Sequence, residues 1–264
     1  VTIDETPTFG QRRSMAFNRA VGRHKGWIAL CCAIAFLQSA LAFDPVRPFT
    51  VVLQGLGYAA QIFLLYNVHR TTLLDAGSRR QPSLIDTVTF AALSAGLFLG
   101  TFALSYGLQA VFLDMSEQSD MSLGEMFWSS ALTSVGPVVV MYLIVFPMIA
   151  LCFPSLAYDG RLRLAENFRA GLKLWPKTLW RIIVAVLPWI ALGLIVGMVA
   201  QGTIAPVMLD DFTELAAGKF TASLLALGAV SAIMTFFGTL AVIGVAVTLS
   251  EMFRDHGPIA GARV

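Results

Sequence analysis

An all-α polytopic membrane bundle is the fold class this chain predicts, and three observations predict it. Apolar residues make up 57% of the 264 positions and charged residues only 13%, against about 25% charged in a soluble domain. Six long segments carry no Asp, Glu, Lys, Arg or His. Sixteen of the eighteen Lys and Arg residues fall in alternate connections between those segments.

The segments are 27–43, 49–68, 87–113, 127–153, 182–204 and 221–249. A span needs about 20 apolar residues to cross a hydrocarbon core of about 30 Å. In lipid only a helix satisfies its own backbone hydrogen bonds without an edge, so each segment predicts a helix. The third, fourth and sixth exceed the minimum and predict tilt or protrusion.

The basic connections are the N-terminal segment 1–26, the loops after the second and fourth spans, and the tail 250–264. The opposite loops hold only Arg47 and Lys219, together with eight acidic residues that include Asp44, Asp114, Glu117, Asp210 and Asp211. By the positive-inside rule the basic side is cytoplasmic, so both termini are expected in the cytoplasm and the expected location is the bacterial inner membrane. This segregation makes the net charge of +2 no signal for nucleic acid. A competing reading treats Ser39-Ala40-Leu41-Ala42 as a signal-peptide cleavage site, which would leave five spans.

Two cytoplasmic segments read as amphipathic. In 159–178, Leu164, Phe168, Leu172 and Trp175 recur at helical spacing, and Arg161, Arg169 and Lys173 lie mainly away from them. This predicts a separate interfacial helix, its basic residues and Trp175 toward anionic head groups, ended or kinked at Pro176. A topological anchor is the plainer role. At the N-terminus, Phe17, Ala20 and Val21 share one face among Arg12, Arg13, Arg19 and Arg23, and 1–7 reads as disordered. A faint Gly-Arg repeat (Gly10, Gly77, Gly160) precedes each odd-numbered span at unequal spacings.

Candidate chemistry is sparse. No phosphate-binding loop, G-x-S-x-G or H-E-x-x-H is present, so no catalytic residue and no enzyme activity is expected. Cys31, Cys32 and Cys152 lack metal-ligand spacing, and His24, His69 and His256 sit at the cytoplasmic border. Neither a metal nor a cofactor is expected. The Gly96–Gly100 and Gly193–Gly197 pairs predict close helix crossings. Pro137, Pro147 and Pro188 predict kinks.

One polar constellation remains. Gln38, Gln54, Gln109 and Gln201 stand in four different spans, each three to five residues from its outer end, with Gln61 and Tyr106 nearby. At about 1.5 Å per residue they share one layer. Convergent, they would line an outward vestibule for a small polar or amphiphilic ligand. Otherwise they are interhelical hydrogen bonds worth about 0.6–2 kcal/mol each.

The stretch Phe153-Pro154-Ser155-Leu156-Ala157-Tyr158-Asp159-Gly160, then Ala165-Glu166-Asn167-Phe168-Arg169-Ala170-Gly171-Leu172, and the closing Leu249-Ser250-Glu251-Met252-Phe253-Arg254 resemble a known arrangement. It is that of the six-span membrane domain fused to some bacterial glycerophosphodiester phosphodiesterases and of its stand-alone relatives. The resemblance implies a six-span bundle and carries over no functional residue and no activity. The function expected is that of a non-enzymatic subunit, scaffold or assembly partner in an envelope complex, with a membrane-protein partner or homo-oligomer. The alternative is a transporter or lipid-handling protein using the glutamine layer.

Overall fold

A computed structural model describes residues 7–41, 47–74, 83–118, 136–137, 140–211 and 221–256. The described residues form helices, with no strand among them. In order they are α1 (Phe9–Ala40), α2 (Arg47–Leu74), α3 (Leu84–Gln118), a π-helix (Val140–Val145), α4 (Phe146–Ile149), α5 (Cys152–Asp159), α6 (Leu164–Asp210) and α7 (Ala222–His256). Five helices are long and apolar enough to cross a membrane, or six when the bent stretch Val140–Asp159 counts as one span. The protein is therefore a multi-pass membrane protein by length and composition. The segments 1–6, 119–135 and 257–264, with the expectations that fall on them, lie outside the described residues.

The chain divides into two units, Val1–Arg79 with Trp180–Val264, and Arg80–Leu179. In the first, α1, α2 and α7 pack together, and α7 is the most enclosed helix. Its residues Ile243, Ala246, Val247, Met252 and Phe253 are fully buried, as expected of a helix that is apolar on all sides. Leu64 and Val68 of α2 and Ala20 and Ile28 of α1 complete this core. Small residues set the helix separations. A Cβ on Gly228 would stand 2.9 Å from the Phe36 carbonyl oxygen of α1, and one on Gly244 would stand 3.1 Å from that of Ala185 in α6.

α1 begins well before the predicted span. Thr8 and Gln11 form a capping box, in which the Thr8 amide donates to Gln11 Oε1 at 2.8 Å and the Gln11 amide donates to Thr8 Oγ1 at 3.4 Å. The helix then runs through the basic residues into the span, with one non-helical residue, His24 (φ −106°, ψ 16°). Phe17 stacks on Trp189 with centroids 5.5 Å apart, and Val21 packs against the core. The apolar face of the N-terminal segment is thus occupied by protein.

In the second unit, Ser83 and Asp86 cap α3 reciprocally, through the Asp86 amide donating to Ser83 Oγ at 3.1 Å and the Ser83 amide donating to Asp86 Oδ2 at 3.2 Å. The predicted fourth span differs from a single straight helix. Its described part is the π-helix, then α4, then a 43° bend into α5. Pro147 explains the wide turn. A proline ring collides with the carbonyl four residues back in an α-helix, and a π-turn moves that carbonyl aside. α5 ends at Gly160, whose φ of 68° is left-handed. Gly160→Ala is expected to cost about 1 kcal/mol at this position, read as a lower midpoint of thermal unfolding in detergent.

The interfacial helix predicted over 159–178 is not a separate element. Residues 164–178 are the first turns of α6, which continues through Pro176 and Pro188 to Asp210. Proline is tolerated inside membrane-protein helices because neighbouring groups take up the freed carbonyl, and the rule that it ends a helix does not hold here. At about 1.5 Å per residue α6 is about 70 Å long, more than twice the hydrocarbon thickness. The basic segment Arg169–Arg181 therefore has room to lie outside the hydrocarbon.

Candidate functional site

Three helices of the first unit line an open cavity of about 150 Å³. α1 contributes Cys31 and Gln38, α2 contributes Gln54, Tyr58 and Gln61, and α7 contributes Thr235. The spacing explains the convergence. Residues 31 and 38 are two turns apart on α1, and 54, 58 and 61 recur at four and three on α2, so each set forms one stripe. Gly57 lies between the α2 residues, and a Cβ there would touch Ile34 at 3.4 Å. The absent side chain leaves α1 and α2 close and the cavity unfilled.

Two of the four predicted glutamines, Gln38 and Gln54, therefore share one cavity with Gln61. The side chains of Gln109 and Gln201 lie outside the described residues. Tyr106 is on α3 in the other unit. No charged side chain lines the cavity, so its walls offer carboxamides, hydroxyls and a thiol. A carboxamide both donates and accepts, as does a hydroxyl. The arrangement can hydrogen-bond a polar group but has no strong nucleophile paired to a base. Among the described residues no cluster of three His, Cys, Asp or Glu is placed to hold a metal ion.

A second polar assembly closes the same bundle at the other end. Glu251 of α7 is 1% exposed and accepts from Arg12 Nε at 3.2 Å and from Arg254 Nη1 at 3.0 Å. Arg12 Nη2 reaches Asp255 at 2.7 Å, and Arg254 Nη2 donates to the Thr72 carbonyl at 2.8 Å. The Arg181 guanidinium lies 3.5 Å from the centre of the Phe9 ring. Two histidines reinforce the assembly through separate partners. His69 Nδ1 is 2.9 Å from Ser250 Oγ, and His24 Nε2 is 3.2 Å from Thr71 Oγ1. These groups tie α1, α2 and α7 together, and they account for residues that the sequence leaves at a featureless border.

The predicted lipid-facing residues of 159–178 divide. Arg161, Arg169 and Lys173 are exposed. Leu164, Phe168 and Leu172 are also exposed. The buried face of this segment is instead small and polar, namely Asn167, Gly171 and Thr178, turned by about 80° from the apolar stripe at about 100° per residue. Trp175 belongs partly to the protein, since its indole N–H donates to the Ile144 carbonyl at 3.3 Å in the π-helix. With the stripe uncovered, Arg169→Glu combined with Lys173→Glu is expected to weaken binding of the full chain to anionic vesicles at low salt, by about 1 kcal/mol per lost charge plus repulsion. Vesicle flotation of detergent-extracted protein checks it.

Of the glycine pairs, Gly193 and Gly197 make only ordinary contacts with Met234, and Gly96 has open space beside it. A Cβ on Gly100, the other member of that pair, would stand 2.7 Å from the Met141 side-chain methyl, so this glycine does permit a close approach. The tightest approaches to backbone are at Gly171, Gly228 and Gly244, which follow no small-x-x-x-small pattern with one another. The acidic pair 210–211 has one described side chain, Asp211, whose carboxylate accepts from the Ser223 hydroxyl.

No protein-family model matches this chain, and no curated protein or solved structure matches it.

Proposed function

We propose that this protein is an inner-membrane protein, with both termini cytoplasmic, that receives a small polar or amphiphilic ligand in the α1–α2–α7 cavity and performs no catalysis. The observation that carries this reading is the cavity itself. Gln38, Gln54 and Gln61 meet around about 150 Å³ of space between three helices. Structural glutamines satisfy one another across a closed interface, whereas these surround space that a ligand's polar group fits. The alternate distribution of Arg and Lys supports the orientation. The cavity then runs from mid-depth, at Cys31 and Gln61, toward the outer end of the bundle, where Gln38 and Gln54 stand. The likeness to the membrane domain of bacterial glycerophosphodiester phosphodiesterases belongs to this proposal and rests on residues 153–172 and 249–254.

The test is thermal unfolding of the full chain in detergent with and without added monoolein. A ligand that binds only the folded protein raises its stability by mass action. Wild type is expected to show a rise in midpoint that Gln54→Leu with Gln61→Leu abolishes, while the ligand-free midpoint stays within a few degrees. An equal rise in both proteins would remove the cavity from the account.

A second reading, a subunit or scaffold of a larger envelope complex, is favoured by one feature. Leu187, Leu194, Ile195 and Met198 form an uncovered stripe along one face of α6, the kind of seam a partner helix takes.

A further inference from the structure

The cavity lining carries more information than its polarity. None of its six polar or sulfur-bearing side chains is Asp, Glu, Lys, Arg or His. The nearest charged residues in sequence stand six or seven positions from the lining, namely Lys25 before Cys31, Asp44 after Gln38 and Arg47 before Gln54. Along α1 that places Lys25 about 9 Å from Cys31, and along α2 it places Arg47 about 10.5 Å from Gln54. α7 has no Asp, Glu, Lys or Arg from 222 to 250. A phosphate, carboxylate or ammonium entering this space would lose hydration without gaining a counter-charge, which is strongly unfavourable. A hydroxyl or an amide would lose far less, because each carboxamide and hydroxyl of the wall supplies a matching donor or acceptor.

The surroundings fix the rest of the ligand. Leu37, next to Gln38, and Val51, one turn before Gln54, are exposed on the same helices. Tyr58 is also exposed, so it presents an aromatic face at the mouth as well as its hydroxyl. A group bound among the glutamines continues into a body that lies on apolar side chains, which is the anatomy of a lipid rather than of a water-soluble solute.

Building on the cavity reading above, we infer that the ligand is a membrane lipid whose buried head is uncharged and carries hydroxyl or amide groups, of the diacylglycerol class, and that the site discriminates against anionic phospholipid. The discrimination resides in Gln54 and Gln61, which face the cavity from α2, so a charge placed there changes the preference.

Native mass spectrometry of the full chain in detergent, titrated separately with dioleoylglycerol and with dioleoyl phosphatidylglycerol, tests this. Wild type is expected to retain dioleoylglycerol about tenfold more tightly, the equivalent of about 1.4 kcal/mol. Gln54→Leu with Gln61→Leu should remove that retention, and Gln54→Glu should lower it with an unchanged circular dichroism spectrum. Tighter retention of phosphatidylglycerol that the double substitution abolishes would overturn the neutral-head inference while leaving the cavity as the binding site. Retention of both lipids unaffected by either variant would overturn the inference and the cavity reading together.

Discussion

Gly171→Ala is expected to prevent normal folding of the second unit. A Cβ at this position would overlap the carbonyl oxygen of Met148 and lie 2.7 Å from its carbonyl carbon. These are backbone atoms at the end of the bent π-helix and α4 stretch, so no side chain can rotate away. The helices must separate, which uncouples Asn167 and Thr178 from their buried positions and strips the Trp175 bond to Ile144. Overpacking of a core by one methyl costs about 1–3 kcal/mol, and more where backbone must move, so a loss of at least about 3 kcal/mol is expected. Fluorescence-detected size exclusion checks it. The variant should give a sharply reduced monodisperse peak, while Gly96→Ala, which meets open space, should behave as wild type.

Glu251→Gln is expected to have the next largest effect. Its carboxylate is enclosed and holds Arg12 of α1 and Arg254 of α7 at once. Neutralising it leaves two guanidinium groups competing for one carboxamide oxygen, with Asp255 as the remaining carboxylate for Arg12 among the described residues. Removing one partner of a buried ion pair costs about 3–5 kcal/mol. Arg12 is 29% exposed and keeps some water, so the lower end, about 3 kcal/mol, is expected. A thermal-unfolding midpoint checks it. Adding Arg12→Met should recover part of the loss, because the uncompensated charge is then gone. A double variant no more stable than the single one would show that Glu251 acts through Arg254 instead.

Much of this was legible in the chain, for identifiable reasons. Apolar runs without charge predict membrane-length helices, because backbone hydrogen bonding in lipid leaves little choice. The Thr8-x-x-Gln11 capping box has a spacing that marks a helix start, a signal overlooked beside the apolar run that begins at Trp27. The convergence of Gln38 and Gln54 follows from counting residues from span ends, since depth in a bundle scales with sequence. What was not legible depends on lateral geometry. Periodicity marks Leu164, Phe168 and Leu172 as an apolar stripe, but the face that packs is the small and polar one through Gly171, chosen by the bend after Pro147. The Arg12–Glu251 contact joins residues 239 positions apart, and no local pattern connects them. The continuity of α6 through Pro176 was missed because the helix-breaking role of proline is a rule of helices in water.

Whether the α1–α2–α7 cavity holds an uncharged amphiphile is decided by native mass spectrometry of the protein extracted gently from its own membrane. A lone chain or homo-oligomer retaining a neutral lipid-sized mass is expected, with that mass absent when Gln54 and Gln61 are both Leu. A stoichiometric protein partner with no retained amphiphile, unchanged by those substitutions, would contradict it and make the protein a subunit held by the α6 stripe.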